Sequence, residues 1–249
     1  MSFISGAVTN QCSDKVHTNQ DKYGILTTKD INGCEVVTAL VCDGVSRSYR
    51  SELASYNTVF RLLEWAAGYF KENAFNSDRI INELDKTIRQ CNAVVDKIAE
   101  RYGAGELSCC TISGMVTDGK DIIVFNAGDS RIYEVDLTAD KLYLLTKDDK
   151  AEDGHTISNC VGLCEGYDIN VKYSRLRFNN TSVYYICTDG MYRLQSFKKW
   201  GREMCYDNDR NMIENHLSEM VNEVRAKGEM DDVTAICIVG KNNFRAAGE

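Results

Sequence analysis

Ile122-Ile-Val-Phe-Asn-Ala-Gly-Asp-Ser-Arg-Ile-Tyr-Glu-Val-Asp-Leu137 reads as two β-rich runs, Ile122–Ala127 and Ile132–Leu137, joined by a tight polar turn, Gly128-Asp129-Ser130-Arg131. The same signature recurs before it at Phe3–Val8, Tyr23–Thr28, Glu35–Cys42 and Thr111–Val116. After it come Lys141–Leu145, Asp168–Leu176, Ser182–Cys187 and Val233–Val239, with a polar, glycine-bearing loop expected over Lys147–Gly166. Helices are confined to two blocks. Ile80, Leu84, Ile88, Cys91, Val95, Ile98 and Tyr102 recur at spacings of three and four, the mark of a single-faced amphipathic helix. Ser51–Phe70 is apolar over a wider arc, as suits a helix packed on a sheet, and Ile213, Leu217, Met220 and Val224 mark a third helix stopping near Gly228. Many strands with helices in blocks point to a layered α+β domain rather than alternating βαβ units. No repeat, linker or low-complexity tract divides the chain, so residues 1–249 are expected to form one domain.

Composition narrows the function. A chain of 249 residues that is 43% hydrophobic can bury one large core. Its net charge of −8 argues against nucleic acid or an anionic membrane as the main partner. A phosphorylated substrate remains compatible, because bound divalent metals would reverse the local field. Eleven cysteines without a Cys-x-x-Cys pair, and only three histidines, argue against zinc. Cys42, Cys109, Cys110, Cys187 and Cys237 lie in apolar runs and are expected as buried thiols of a reducing cytoplasm. No charged-then-apolar leader and no apolar run of about 18 residues is present, so neither export nor a membrane span is expected.

Four aspartates end apolar runs or sit in polar turns beside them: Asp21 in Asn-Gln-Asp-Lys, Asp43 in Val-Cys-Asp-Gly, Asp189 in Cys-Thr-Asp-Gly and Asp231 in Met-Asp-Asp-Val-Thr. Each Asp-Gly on its own is an ordinary turn dipeptide. Gathered at one point, several strand-end carboxylates would make an all-oxygen site suited to Mg²⁺ or Mn²⁺.

These segments, in order, resemble the metal-dependent serine/threonine protein phosphatases of type 2C. Phe125–Tyr133 looks like that family's Gly-Asp-Ser-Arg strand pair, Asn19-Gln20-Asp21 its Asn-Glu-Asp, and Val41–Gly44 its first Asp-Gly. Glu52–Ser55 matches the start of its first helix, Ile186–Met191 its second Asp-Gly, and Asp231–Thr234 its terminal Asp-Asn-x-Thr. The resemblance runs from about residue 5 to residue 240. It implies a four-layer α-β-β-α sandwich of two antiparallel sheets, and two metal ions sharing one water that attacks phosphoserine or phosphothreonine.

By the same resemblance Asp43 bridges the ions, the Gly44 carbonyl serves one of them, and Asp189 and Asp231 serve the other. Asp21 would hold metal-bound water, and Asp129 would support the ligands rather than bind a central ion. In some relatives Asp129's counterpart holds a third metal with a second acidic residue; here that position is Arg193, a cation that opposes such a site. Where the family has a phosphate-gripping arginine this chain has Val16, which leaves Lys15, His17 and Arg47 as the candidate phosphate contacts. Arg131 is expected to brace the fold, and His155 and His216 to stand outside the chemistry.

The leading expectation is a monomeric cytoplasmic phosphatase acting on phosphorylated proteins, with a serine/threonine kinase as the opposing partner. Two alternatives stand beside it: a catalytically weak phosphatase-fold protein that binds a phosphorylated partner or regulates a kinase, and a small-molecule phosphomonoesterase.

Overall fold

The computed structural model describes residues 3–12, 18–101, 107–163, 168–193, 196–207 and 209–240. Among the described residues ten strands form two five-stranded sheets. The first takes β1 (Phe3–Asn10), β10 (Val233–Gly240), β9 (Ser182–Cys187), β6 (Arg131–Asp136) and β7 (Lys141–Leu144), in that order. The second takes β2 (Lys22–Lys29), β3 (Glu35–Cys42), β4 (Ile112–Thr117), β5 (Asp121–Ala127) and β8 (Lys172–Arg177). Every pairing in both sheets is antiparallel.

The period-2 alternation of side chains along each strand builds the layers. On β3, Val36, Leu40 and Cys42 face the helices, while Val37, Ala39 and Val41 face the other sheet. On β10, Val233, Ala235, Cys237 and Val239 face outward to helices, and Ile236 and Ile238 face inward. Both faces of these central strands are therefore buried, which is why they read as continuous apolar runs rather than alternating ones. Helices α1 (Ser51–Glu72) and α2 (Ser77–Arg101) cover the second sheet through Leu62, Phe70, Ile80, Leu84 and Ile88. On the other side, α4 (Phe197–Met204) and α5 (Arg210–Ala226) cover the first sheet through Phe197, Trp200, Ile213, Leu217 and Met220. The result is the expected four-layer α-β-β-α sandwich.

Two departures concern local structure. The eighth strand starts at Lys172 rather than Asp168, because Ile169 and Val171 pack into the helix-facing core before the chain enters the sheet. The sequence reading passed over the one-turn α3 (Asp189–Tyr192) and the short α4. The buried face of α4, Phe197, Trp200, Gly201 and Met204, has helical spacing but is too brief to stand out from a polar background. No helix among the described residues is long and apolar enough to cross a membrane.

Candidate metal centre

Strand register brings the aspartates together. Asp21 immediately precedes β2 and Asp43 immediately follows β3, and the two flanking residues, Lys22 and Cys42, are directly paired. In the other sheet Cys187, at the end of β9, lies between Arg131 at the start of β6 and Ala235 near the start of β10. Asp129, Asp189 and Asp231 therefore leave the first sheet at the same end at which Asp21 and Asp43 leave the second. Asp43, Asp129, Asp189 and Asp231 line one cavity of about 530 Å³, together with Gly44 and Arg47.

Asp43 is the electrostatic centre. Burial holds its carboxyl well above the usual range, and the carboxylates that push it further are Asp21, Asp189, Asp129 and Asp231, all four of the others. Its backbone is clamped on both sides: Thr111 Oγ1 accepts from the Asp43 amide at 3.1 Å, and the Thr111 amide donates to the Asp43 carbonyl at 2.7 Å. Asp189 is raised to about 6, by burial first and then by Asp231 and Asp129, with Arg193 opposing the shift. Asp231 is raised by burial and by Asp232 and Glu229, again against Arg193.

Asp21 stands apart from the cavity lining. It is buried beneath the site, where Oδ2 accepts from the Thr188 hydroxyl at 2.8 Å and Oδ1 has no hydrogen-bond partner among the described residues. Burial raises its carboxyl to about 7, against the hydrogen bonds from Thr188 and Thr234. Thr188 is the residue between β9 and Asp189, so one hydroxyl ties the two sheets' aspartates together.

The Asp-Gly glycines are not turn residues. Neither Gly44 nor Gly190 has positive φ. What each lacks is room: a Cβ at Gly44 would sit 2.8 Å from Ser51 Cβ and 2.9 Å from the Gln20 carbonyl oxygen, and one at Gly190 would collide with the Asp232 carbonyl oxygen. The loops are pressed together at the site, and only glycine allows the approach.

Several supporting residues escaped the sequence reading. The Asp232 carboxylate accepts from the amides of Cys12 at 2.6 Å and Gln20 at 2.7 Å, clipping the β1–β2 connection to the Asp231 loop. Arg225 donates to the Asp231 carbonyl at 2.6 Å and to Asn10 and Gln11. Glu229 accepts from the Asp231 amide at 3.0 Å. Nothing local in the sequence announces these roles, because every partner but Asp231 is remote or sits in a loop. Arg193 donates to both Glu229 carboxylate oxygens, at 2.8 and 2.6 Å. Asp129 instead meets the Lys150 ammonium at 3.3 Å.

Arg131 braces the fold as expected: it grips Asp148 with Nε and Nη2, donates to the Tyr133 hydroxyl and lies over the Tyr192 ring. His216 lies away from the cavity, paired with Asp207 at 3.0 Å. His155 lines the cavity. Arg47 is exposed and is the one Lys or Arg among the described residues that line the cavity. Lys15, Val16 and His17 lie outside the described residues.

The donor set suits hard divalent cations. The four lining aspartates offer only oxygen and repel one another, and among the described residues the buried Asp21 beneath them has a carboxylate oxygen with no hydrogen-bond partner. Among the described residues no three His, Cys, Asp or Glu side chains are close enough together to hold one ion unaided. Mg²⁺ keeps several waters and takes only one or two carboxylates, so this arrangement still fits it.

The family profile described as Protein phosphatase 2C matches residues 10–230. No curated protein sequence matches the chain. Among solved structures, the Streptococcus agalactiae serine/threonine phosphatase is similar at 15% identity and a TM-score of 0.77, over 96% of this chain and 100% of that one. Serine/threonine phosphatase Stp1 from Staphylococcus aureus is similar at 18% identity and a TM-score of 0.74, over 97% and 96%. The Mycobacterium tuberculosis serine/threonine phosphatase PstP/Ppp is similar at 16% identity and a TM-score of 0.74, over 96% and 99%.

Proposed function

The chain belongs to the protein phosphatase 2C family of serine/threonine phosphatases, and on that premise we propose that its aspartate cavity binds two Mg²⁺ or Mn²⁺ ions and hydrolyses phosphoserine and phosphothreonine in proteins. The observation that carries this reading is Asp43, a carboxylate pushed up by burial and by four other aspartates delivered from both sheets. Such a cluster is costly unless cations neutralise it. When bound, the two ions would supply a shared water of lowered pKa and a clamp for the phosphoryl oxygens.

The chain's own residues do the rest. Asp43, central and held rigid by Thr111, would hold the ions together with the Gly44 carbonyl and the Asp189 and Asp231 carboxylates. The Arg225, Glu229 and Asp232 contacts hold the Asp231 loop so that its carboxylate is placed before substrate arrives. Asp21, fixed by Thr188 beneath the cavity, would hold a water of the site by hydrogen bond. Arg47 meets the substrate phosphate from the exposed rim, and Lys15 and His17 remain proposed contacts beside it. Asp129, already facing Lys150, supports the ligands.

The protein is further proposed to be a cytoplasmic monomer, folded as a single domain over residues 1–249 and set against a serine/threonine kinase. The cytoplasmic placement is supported by ten described cysteines, none of them in a disulfide. The test is hydrolysis of p-nitrophenyl phosphate and of a phosphothreonine peptide with Mn²⁺, then with EDTA. Turnover that persists undiminished in EDTA refutes the metal mechanism. Purified Asp43→Asn that binds Mn²⁺ like the parent protein refutes the site assignment.

A further inference from the structure

The cavity has a second chemistry on its wall. Cys109 and Cys160 both line it, facing the aspartates across the same space. Their placement follows from one short antiparallel bridge. Cys110 and Val161 exchange both backbone hydrogen bonds, at 3.0 and 2.9 Å, and both side chains enter the core between the second sheet and its helices. Alternation then turns Cys109 and Cys160 to the opposite side, as diagonal neighbours on the cavity face. Gly162 abuts the Ser108 carbonyl too closely for any side chain, so the two segments are held against each other. The two side chains interact, Cys160 lowering the Cys109 thiol.

We propose that Cys109 and Cys160 form an oxidation-sensitive pair that closes to a disulfide in the presence of a hydroperoxide and thereby shuts off the neighbouring site. The sequence alone marks Cys109 as a buried thiol, which it is; its partner and its place on the cavity wall come only from the fold. The Cys109 thiolate attacks the peroxide, forming an S–O bond as the O–O bond breaks, and the departing oxygen leaves as water or alcohol with a proton. The Cys160 sulfur, losing its proton, then attacks the sulfenic sulfur; the S–S bond forms, the S–O bond breaks and water departs. Two thiols are oxidised and one hydroperoxide is reduced. Hydrogen bonds from Cys160 and Ser48 hold the Cys109 thiol down to about 7 against the opposing effect of burial. This lowering favours the thiolate, the form that attacks a peroxide.

The functional consequence rests on the phosphatase reading above. The Cys109 carbonyl accepts from the Val45 amide at 3.0 Å, and the Cys109 amide donates to the Ser48 hydroxyl at 3.2 Å. These bonds sew Cys109 to the loop that directly follows Asp43 and Gly44. Drawing the two sulfurs to covalent distance would pull on that loop.

The test takes the full-length reduced protein with Mg²⁺, exposes it to hydrogen peroxide, alkylates the remaining thiols and maps the peptides by mass. The expected result is a Cys109–Cys160 cross-link two hydrogen masses lighter than the reduced peptides. It should accompany a fall in phosphatase rate of about tenfold or more, reversed by dithiothreitol. In Cys160→Ser, Cys109 should be trapped as a sulfenic acid, and the loss of rate, relative to that variant's own starting rate, should no longer follow a cross-link. Recovery of Cys109 and Cys160 in reduced form after a dose that oxidises the exposed Cys34 overturns the proposal, as does a cross-link to Cys110 or Cys164 instead. The mass map reads out without any turnover, so a protein that proves inactive on phosphoesters would refute the phosphatase reading and leave the cysteine pair separately judged.

Discussion

Removing the divalent ions should make this protein less stable as pH rises, and Asp189 sets a measurable part of the effect. Its folded-state pKa stands at about 6, above the ordinary value of 3.8, because burial and the facing Asp231 and Asp129 disfavour its charge. A group raised in this way binds more protons folded than unfolded. Its contribution is complete below about pH 4 and is lost as pH climbs through about 6. The whole shift is worth about 3 kcal/mol, of which about 1.4 kcal/mol falls between about pH 5 and about pH 8. For a chain of this size that corresponds to roughly 3–6 °C in Tm. Asp43 and Asp21 are raised in the same direction, so the stripped parent protein should lose more than this. The clean measurement is a difference. EDTA-treated parent and Asp189→Asn are melted at both pH values, and the variant should show a pH-dependent drop smaller by about 1.4 kcal/mol, together with a higher Tm at about pH 8. Excess Mg²⁺ or Mn²⁺ should remove most of the drop from the parent protein and much less of it from the variant. A metal-free parent protein that melts higher at about pH 8 than at about pH 5, or an Asp189→Asn variant with an unchanged drop, would falsify the repulsive-cluster account.

Asp43→Asn should abolish Mn²⁺-dependent turnover with the circular dichroism spectrum intact, since it removes the charge on which the other four aspartates converge; turnover within a few-fold of the parent would contradict the bridging role. Gly190→Ala should destabilise by about 1–3 kcal/mol in urea melts, because its methyl group must displace the Asp232 carbonyl, and an unchanged midpoint would show that the loop yields freely. Crystals soaked in Mn²⁺ should show anomalous peaks at Asp43, Asp189 and Asp231 and none at Asp129, where the Lys150 ammonium already stands 3.3 Å away. Arg47→Ala should raise KM for a phosphothreonine peptide roughly tenfold, the worth of a charge-assisted phosphate contact, with kcat little changed; an unaltered KM would hand the phosphate to Lys15 or His17.

The central strands were legible because both of their faces are buried: Glu35–Cys42 and Ser182–Cys187 read as continuous apolar runs and lie in the structure with those bounds. Helix α2 was legible for the same local reason, since every fourth or third residue from Ile80 to Ile98 must face one sheet. The ordered Asp motifs pointed to the aspartates themselves, because a carboxylate directly after an apolar run is a local pattern. What binds those aspartates together is not local. Asp21 reaches Thr188 across 167 positions of chain, Asp232 reaches Gln20 across 212, and Cys109 meets Cys160 only because Cys110 and Val161 pair. The two glycines show the limit most plainly: a turn dipeptide and a glycine squeezed between two loops have the same spelling. Strand and helix propensity act over a few residues and can be read along the chain. Register, loop contact and the mutual repulsion that raises Asp43 exist only once the two sheets have closed on each other, and these decided the site.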